Sequence, residues 1–212
     1  MRAMFLQMGA AVLAGAAVGL GLWTYLGGAP AEPVRASVVS VGDVRLTVPP
    51  SYLHAGSNDD RAELVARFPD FRPAARTDDV TAKTNLDDRF QRLVFLDLKP
   101  ADGPIDPSDR MARLYERFLS ETSWTHPGGL VARAFEPDSP FAGDELFYAP
   151  PEGRAFAARC RKPDQAARTP VTCTTSFRTG TMDVDVRFSA SLLSDWERLD
   201  AGAKGLVETL RR

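Results

Sequence analysis

From Ala3 to Leu26 the chain runs for 24 residues without a charged side chain (AMFLQMGAAVLAGAAVGLGLWTYL), and only Gln7 and Thr24 are strongly polar there. As a helix rising about 1.5 Å per residue, this run reaches roughly 36 Å, enough to cross a hydrocarbon layer of about 30 Å. Trp23 and Tyr25 stand at its C-terminal end, where amphipathic rings favour the headgroup level, and Gly27, Gly28 and Pro30 then stop the helix. The chain is therefore divided into a transmembrane signal-anchor helix over 1–28, a linker over 29–35 and a soluble domain over 36–212. A cleaved signal peptide is the rival reading, because Ala29-Pro30-Ala31 offers an A-x-A site with cleavage after Ala31. The proline in that triplet, the single Arg2 before the run and the length of the run weigh against cleavage. Gly15 and Gly19, extended back to Ala11, form a small-xxx-small stripe suited to a weak homodimer through the anchor, or simply an Ala/Gly-rich span.

Charge is concentrated beyond this run. Only Arg2 precedes Glu32, so residues 32–212 carry 25 basic against 28 acidic side chains. This mildly acidic balance lacks the positive field of a protein that grips phosphates, and nucleic acid is excluded as a partner class. The amino terminus and Arg2 on one side of the anchor, against Glu32 and Arg35 on the other, favour an inside N-terminus and an exported domain. The two cysteines, Cys160 and Cys173, both lie in that domain, and an even count in an exported chain points to a disulfide. Phe156–Cys160 and Val171–Phe177 have the composition of two strands facing each other across a polar loop, so the bond would staple a hairpin. No C-x-x-C is present for redox chemistry, and two thiols with distant histidines make a poor zinc site. In a bacterium these signs place the domain in the periplasm, held at the inner membrane.

Within the domain, β-rich runs around Gly42-Asp43 predict a hairpin over 36–48. Ala62, Leu64, Ala66 and Phe68 alternate as a strand does, residues 69–88 suit a surface excursion, and 90–98 form a more continuous apolar strand. Asp106-Pro107 opens a helix with an N-cap and a proline at N1, and Met111, Leu114, Tyr115, Phe118 and Leu119 share its apolar face. Five β-like runs between Leu130 and Phe188 suggest an antiparallel meander. Ser194-Asp-Trp-Glu197 has the form of a capping box opening a last helix. Leu192, Trp196, Leu199, Ala203, Leu206 and Leu210 step along one side of that helix, weakened by Gly202 and Gly205. The expected class is α+β: a mostly antiparallel sheet of about seven to eight strands with two amphipathic helices on one face.

Motifs for chemistry are scarce. Nucleophile elbows, Walker loops, H-E-x-x-H and EF-hand loops are absent, and neither a cofactor nor a metal is implied. His54 and His126 both sit in loop-like contexts that suit surface histidines. Asp183 and Asp185 share one strand face and have the spacing of an acid/base or cation-binding pair, but Met182, Val184, Val186 and Phe188 alternate with them, which places the aspartates on a solvated side. Arg133, Arg154, Arg159, Arg161 and Arg168 add positive charge that could take a small anionic partner or form a mixed-charge rim. Pro140-Phe141 and Phe147-Tyr148 form either a contact surface or a hairpin packed on the core. Three functions stay open: a non-catalytic envelope protein that binds a protein partner, a periplasmic hydrolase using His126 or Asp183/Asp185, and an envelope inhibitor or immunity-type domain.

Overall fold

A computed structural model describes residues 36–54, 56–58, 60–74, 90–161 and 171–211. The expected anchor, with Gly15, Gly19, Trp23 and Tyr25, and the linker after it lie outside the described residues, as does Arg168. Among the described residues no helix is long and apolar enough to cross a membrane.

The domain begins with the hairpin expected around Gly42, β1 (Ser37–Val41) and β2 (Val44–Val48), which forms a sheet of its own. Gly42 takes a φ of 54°, a left-handed turn conformation open to glycine at little cost. The main sheet contains β3 (Ala62–Arg67), β4 (Arg72–Pro73), β5 (Leu93–Pro100), β6 (Leu119–His126), β7 (Leu130–Phe135), β8 (Asp144–Tyr148), β9 (Ala157–Arg161), β10 (Thr172–Thr179) and β11 (Met182–Ser189). Their spatial order is β4-β3-β5-β11-β10-β9-β8-β7-β6, and every pairing is antiparallel. Six consecutive strands thus make a meander, one strand more than the five runs expected, and β5 and β3 add to its β11 edge. The one long helix among the described residues, α1 (Trp196–Leu210), follows β11.

Period-two alternation sorts the two faces of this sheet. Val94, Leu96 and Leu98 of β5, Ala62, Leu64 and Ala66 of β3, and Met182, Val184, Val186 and Phe188 of β11 are all buried on one face. There they join Val41, Leu46 and Val48 of the hairpin and Leu199, Ala203, Leu206 and Leu210 of α1 in one core. Burial of a large apolar side chain contributes about 1.5–3 kcal/mol, so this layer supplies most of the driving force for folding. Cys160 and Cys173 stand directly opposite each other on β9 and β10 within it and are disulfide-bonded, the pairing expected from their flanking strands.

Several expectations are corrected. Among the described residues the sheet has nine strands and the hairpin adds two, against the seven to eight expected. Residues 107–118 do turn helically, but as short 3-10, π and 3-10 pieces, and Leu119 opens β6 instead of closing a helix. β6 escapes the pattern because Glu121–Thr125 are exposed on both faces, which leaves no alternation to find. The two helical segments also cover opposite faces. Met111 packs with Leu119, Phe135, Leu146 and Tyr148, whereas Phe147 and Ala149, which point the other way from β8, belong to the core under α1. The capping box at Ser194 does not form either. Residues 190–195 already turn as a 3-10 helix capped by Ser189, so Ser194 is inside helical structure, and Asp195 stands at the N-cap with no side-chain hydrogen bond. The N-cap at Asp106 is present, its carboxylate accepting the Ser108 backbone N–H at 2.9 Å with Pro107 following at N1.

Candidate functional site

The face of the sheet opposite α1 carries charge. Antiparallel pairing sets Asp97 of β5 directly against Asp185 of β11, a like-charge pair that is destabilising unless each carboxylate finds a cation elsewhere. Each does. Asp97 takes both oxygens to Arg61, at 2.5 and 2.8 Å, and Asp185 accepts from Lys99 at 2.6 Å and from the Ser176 hydroxyl at 2.6 Å. Arg61 also lies 3.2 Å from Glu63, whose carboxylate faces the His54 Nδ1 at 3.4 Å.

Asp183 is not on a solvated side, contrary to the alternation argument: its side chain is fully buried. Arg178 holds it with two bonds, at 2.6 and 3.0 Å, the Asp102 N–H donates at 3.2 Å, and Arg110 lies 3.8 Å away. The alternation placed it correctly on the face opposite the core, but residues 101–110 close over that end of the face. Burial is the largest single influence on this carboxyl and pushes its pKa up. The Arg178 and Asp102 hydrogen bonds, with the charges of Arg178 and Arg110, together outweigh it and hold the group below its usual value. Asp106 is also lowered, chiefly by its bonds from Ser108. A general acid working near neutrality needs a raised carboxyl, so Asp183 is tuned in the opposite direction.

The histidines are not brought together. His54 lies beside β3 with its ring edge-on to Phe95 at 6.4 Å, while His126 ends β6 at the far edge of the sheet. The His126 ring rests on Phe147 at 5.1 Å, and its Nδ1 is 2.8 Å from the Pro127 carbonyl. Among the described residues no group of three or more His, Cys, Asp or Glu could hold a metal ion. The aromatic stretch resolves toward packing: Phe141 meets Tyr115, Phe118 and Phe135 at ring distances of 5.0–5.8 Å. Of the arginines singled out, Arg154 pairs with Asp109 and Glu152, and Arg133 with Glu116.

Between Arg61 and Arg187 the charged face stays open as a shallow groove of about 230 Å³, floored by Phe95 and Thr174. Sequence reasoning missed Arg61, Asp97, Lys99, Arg178 and Arg187. Asp97, Lys99 and Arg187 were signalled only as charge alternating along two separate strands, Phe95-x-Asp97-x-Lys99 and Asp183-x-Asp185-x-Arg187, whose pairing spans more than 80 residues.

The fold has a known relative. An immunity protein of the Stenotrophomonas maltophilia type IV secretion system, Smlt3025, superposes with a TM-score of 0.60 at 16% identity, over 84% of this chain and 94% of that one. The iron-regulated outer membrane lipoprotein FrpD of Neisseria meningitidis gives a TM-score of 0.48 at 11% identity, over 84% and 92%. At these identities the first likeness is one of fold alone. No protein-family model and no curated protein matches the chain.

Proposed function

We propose that this is an envelope protein, held at the inner membrane by residues 1–28 with its α+β domain in the periplasm, that binds a protein partner without catalysing a reaction. The observation that carries the reading is the state of the Asp183/Asp185 pair. Both carboxylates are consumed in ion pairs and hydrogen bonds, with Asp183 sealed from solvent, while the face beside them lies open as a broad charged surface. Buried, matched charges of this kind organise a surface, whereas an acid/base pair needs pKa values driven apart toward neutrality. The buried disulfide suits an oxidising compartment.

An immunity-type role, in which the partner is a toxin or enzyme of the envelope, is the specific form favoured by the shared fold with Smlt3025. A hydrolase using His126 or Asp183/Asp185 is disfavoured by the same ion pairs and by the separation of the histidines. Complementation of a deletion strain tests the reading. His54→Ala, His126→Ala and Asp185→Ala should each restore the wild-type phenotype, and the chain should co-purify with one stoichiometric protein; loss of complementation by folded His126→Ala would turn the reading to catalysis. The intact, non-reduced mass from the membrane fraction should be full length less two hydrogens, and a mass lacking residues 1–31 would rule the anchor out.

A further inference from the structure

Charge on the open face is balanced at one end and unbalanced at the other. Toward β3 and β5, Asp97 and Asp185 each hold a cation at 2.8 Å or less. Toward β9, two guanidiniums share one carboxylate and a third has none among the described residues. Arg159 and Arg161 both lean on Asp144, at the looser distances of 3.6 and 3.5 Å, and Arg187 makes no ion pair among the described residues. Strand register puts Thr174 of β10 opposite Arg159 of β9 on one side and opposite Arg187 of β11 on the other, so all three side chains share the open face in one row.

Both ends of that row are pre-shaped. The Arg187 guanidinium lies over the Phe95 ring at 5.0 Å, and the Arg159 guanidinium over the Phe141 ring at 5.0 Å. A cation held over a ring is positioned without using its N–H donors, and the N–H edge of a guanidinium grips a carboxylate with two parallel bonds. Neither guanidinium donates a hydrogen bond to another described residue. With strands about 4.8 Å apart, the two backbones stand about 10 Å from each other. Two acidic residues two positions apart in an extended segment span about 7 Å, so their side chains reach both arginines.

We propose that Arg187 and Arg159, with the Thr174 hydroxyl between them, receive the carboxylates of an acidic segment on a protein partner. The proposal rests on the protein-binding reading and names the chemistry of its contact. A protein is favoured over a free small acid because the row of Arg159, Thr174 and Arg187 runs about 10 Å across the open sheet face, reaching beyond the groove of about 230 Å³ that Thr174 and Arg187 line, whereas small ligands are enclosed in clefts of roughly 300–1,000 Å³. It is favoured over nucleic acid because the domain as a whole carries more acidic than basic side chains.

The test uses the full chain and a defined probe, the peptide acetyl-Gly-Glu-Ser-Glu-Gly-amide, titrated at low ionic strength while the arginine Nε–Hε signals are followed by NMR. The same peptide with Gln in place of Glu, succinate and a short single-stranded oligonucleotide serve as comparisons. The acidic peptide should shift the Arg187 and Arg159 signals. Arg187→Ala and Arg159→Ala should each weaken binding at least tenfold, Arg187→Lys should weaken it less, and Arg45→Ala on the hairpin should leave it unchanged, all with the wild-type melting temperature. Equal binding by the Gln peptide, undiminished binding by Arg187→Ala, or no binding would overturn the proposal. So would succinate binding as tightly as the peptide, which would mark a small-acid site, or the oligonucleotide binding more tightly, which would mark a phosphate site. A partner that co-purifies equally with wild type and Arg187→Glu would sink this contact and leave the protein-binding reading standing, whereas absence of any partner from wild type would remove that reading itself.

Discussion

On β11, Met182, Val184, Val186 and Phe188 face one way and Asp183, Asp185 and Arg187 the other, and the two sides are held by different physics. The apolar side is stabilised by area removed from water, a non-directional effect that tolerates exchange among side chains of similar volume. The charged side is graded along its length. Asp183 is buried and held by two bonds, Asp185 is three-quarters buried and bonded to Lys99 and Ser176, and Arg187 is exposed with only a ring beneath it. A strand can thus present one uniform side and one whose setting changes residue by residue, from a buried ion pair to an exposed cation.

The sharpest test of that contrast is Asp183→Ala, which should cost about 3–5 kcal/mol because it leaves Arg178 partly buried without its carboxylate. Phe188→Ala on the opposite side should cost about the same, through a cavity. Only the charged side responds to pH. A carboxyl whose folded pKa lies below its unfolded value of about 3.9 stabilises the fold fully above that value and loses its contribution as pH falls through the lowered one. Denaturant midpoints of the wild type should therefore fall steeply below about pH 4. Phe188→Ala should keep that acid limb, and Asp183→Asn should flatten it, leaving a smaller fall from Asp106. An acid limb equally steep in Asp183→Asn would place the sensitivity elsewhere.

Next in size is the disulfide, which ties β9 to β10 within the apolar layer at a sequence separation of 13. Closing so short a loop in the unfolded chain stabilises by about 3 kcal/mol. The paired Cys160→Ala, Cys173→Ala variant should lose about that much at every pH, unlike Asp183→Asn. A loss that grew toward acid would mean that the bond also supports the ion pairs of the other face.

How much of this was legible beforehand depends on where the determinants sit in the chain. Alternation exposed β7 to β11 of the meander because each of these strands has one buried side, and Asp106-Pro107 marked a cap because the signal lies within three residues. The setting of Asp183 was illegible, since burial comes from residues 101–110 folding over β11 and its cation, Arg178, is set opposite by strand register. Gly202 shows the same limit. It reads as a weak spot in α1, yet a Cβ there would overlap the ring of Phe71, a buried residue held at a φ of 53° with its carbonyl bonded to the Tyr52 hydroxyl at 3.1 Å. Nothing stands near a Cβ built on Gly205.

These two glycines, three residues apart in the helix that covers the apolar face, should respond with opposite sign. Gly205→Ala gains helix propensity and should stabilise by up to about 1 kcal/mol. Gly202→Ala gains the same propensity but displaces Phe71, and overpacking of about 1–3 kcal/mol leaves a net loss of up to about 2 kcal/mol. Thermal melts of the two variants decide it, and equal shifts would mean that Phe71 swings aside without cost.

The smallest effect is the most informative about the open end of the charged face. Arg187→Ala removes an exposed cation with no ion pair among the described residues, and its contact with Phe95 is a cation–π contact at 5.0 Å. Substitutions at such positions change stability by no more than about 0.5 kcal/mol. Set against Asp183→Ala, four residues back on the same side of the same strand, the expected difference is several kcal/mol. If Arg187→Ala instead lowered the denaturant midpoint by as much as the disulfide variant, Arg187 would be part of the scaffold, and the charged face would be structural along its whole length. A neutral result leaves a guanidinium placed over a ring, matched to no charge among the described residues, and available to meet one from another chain.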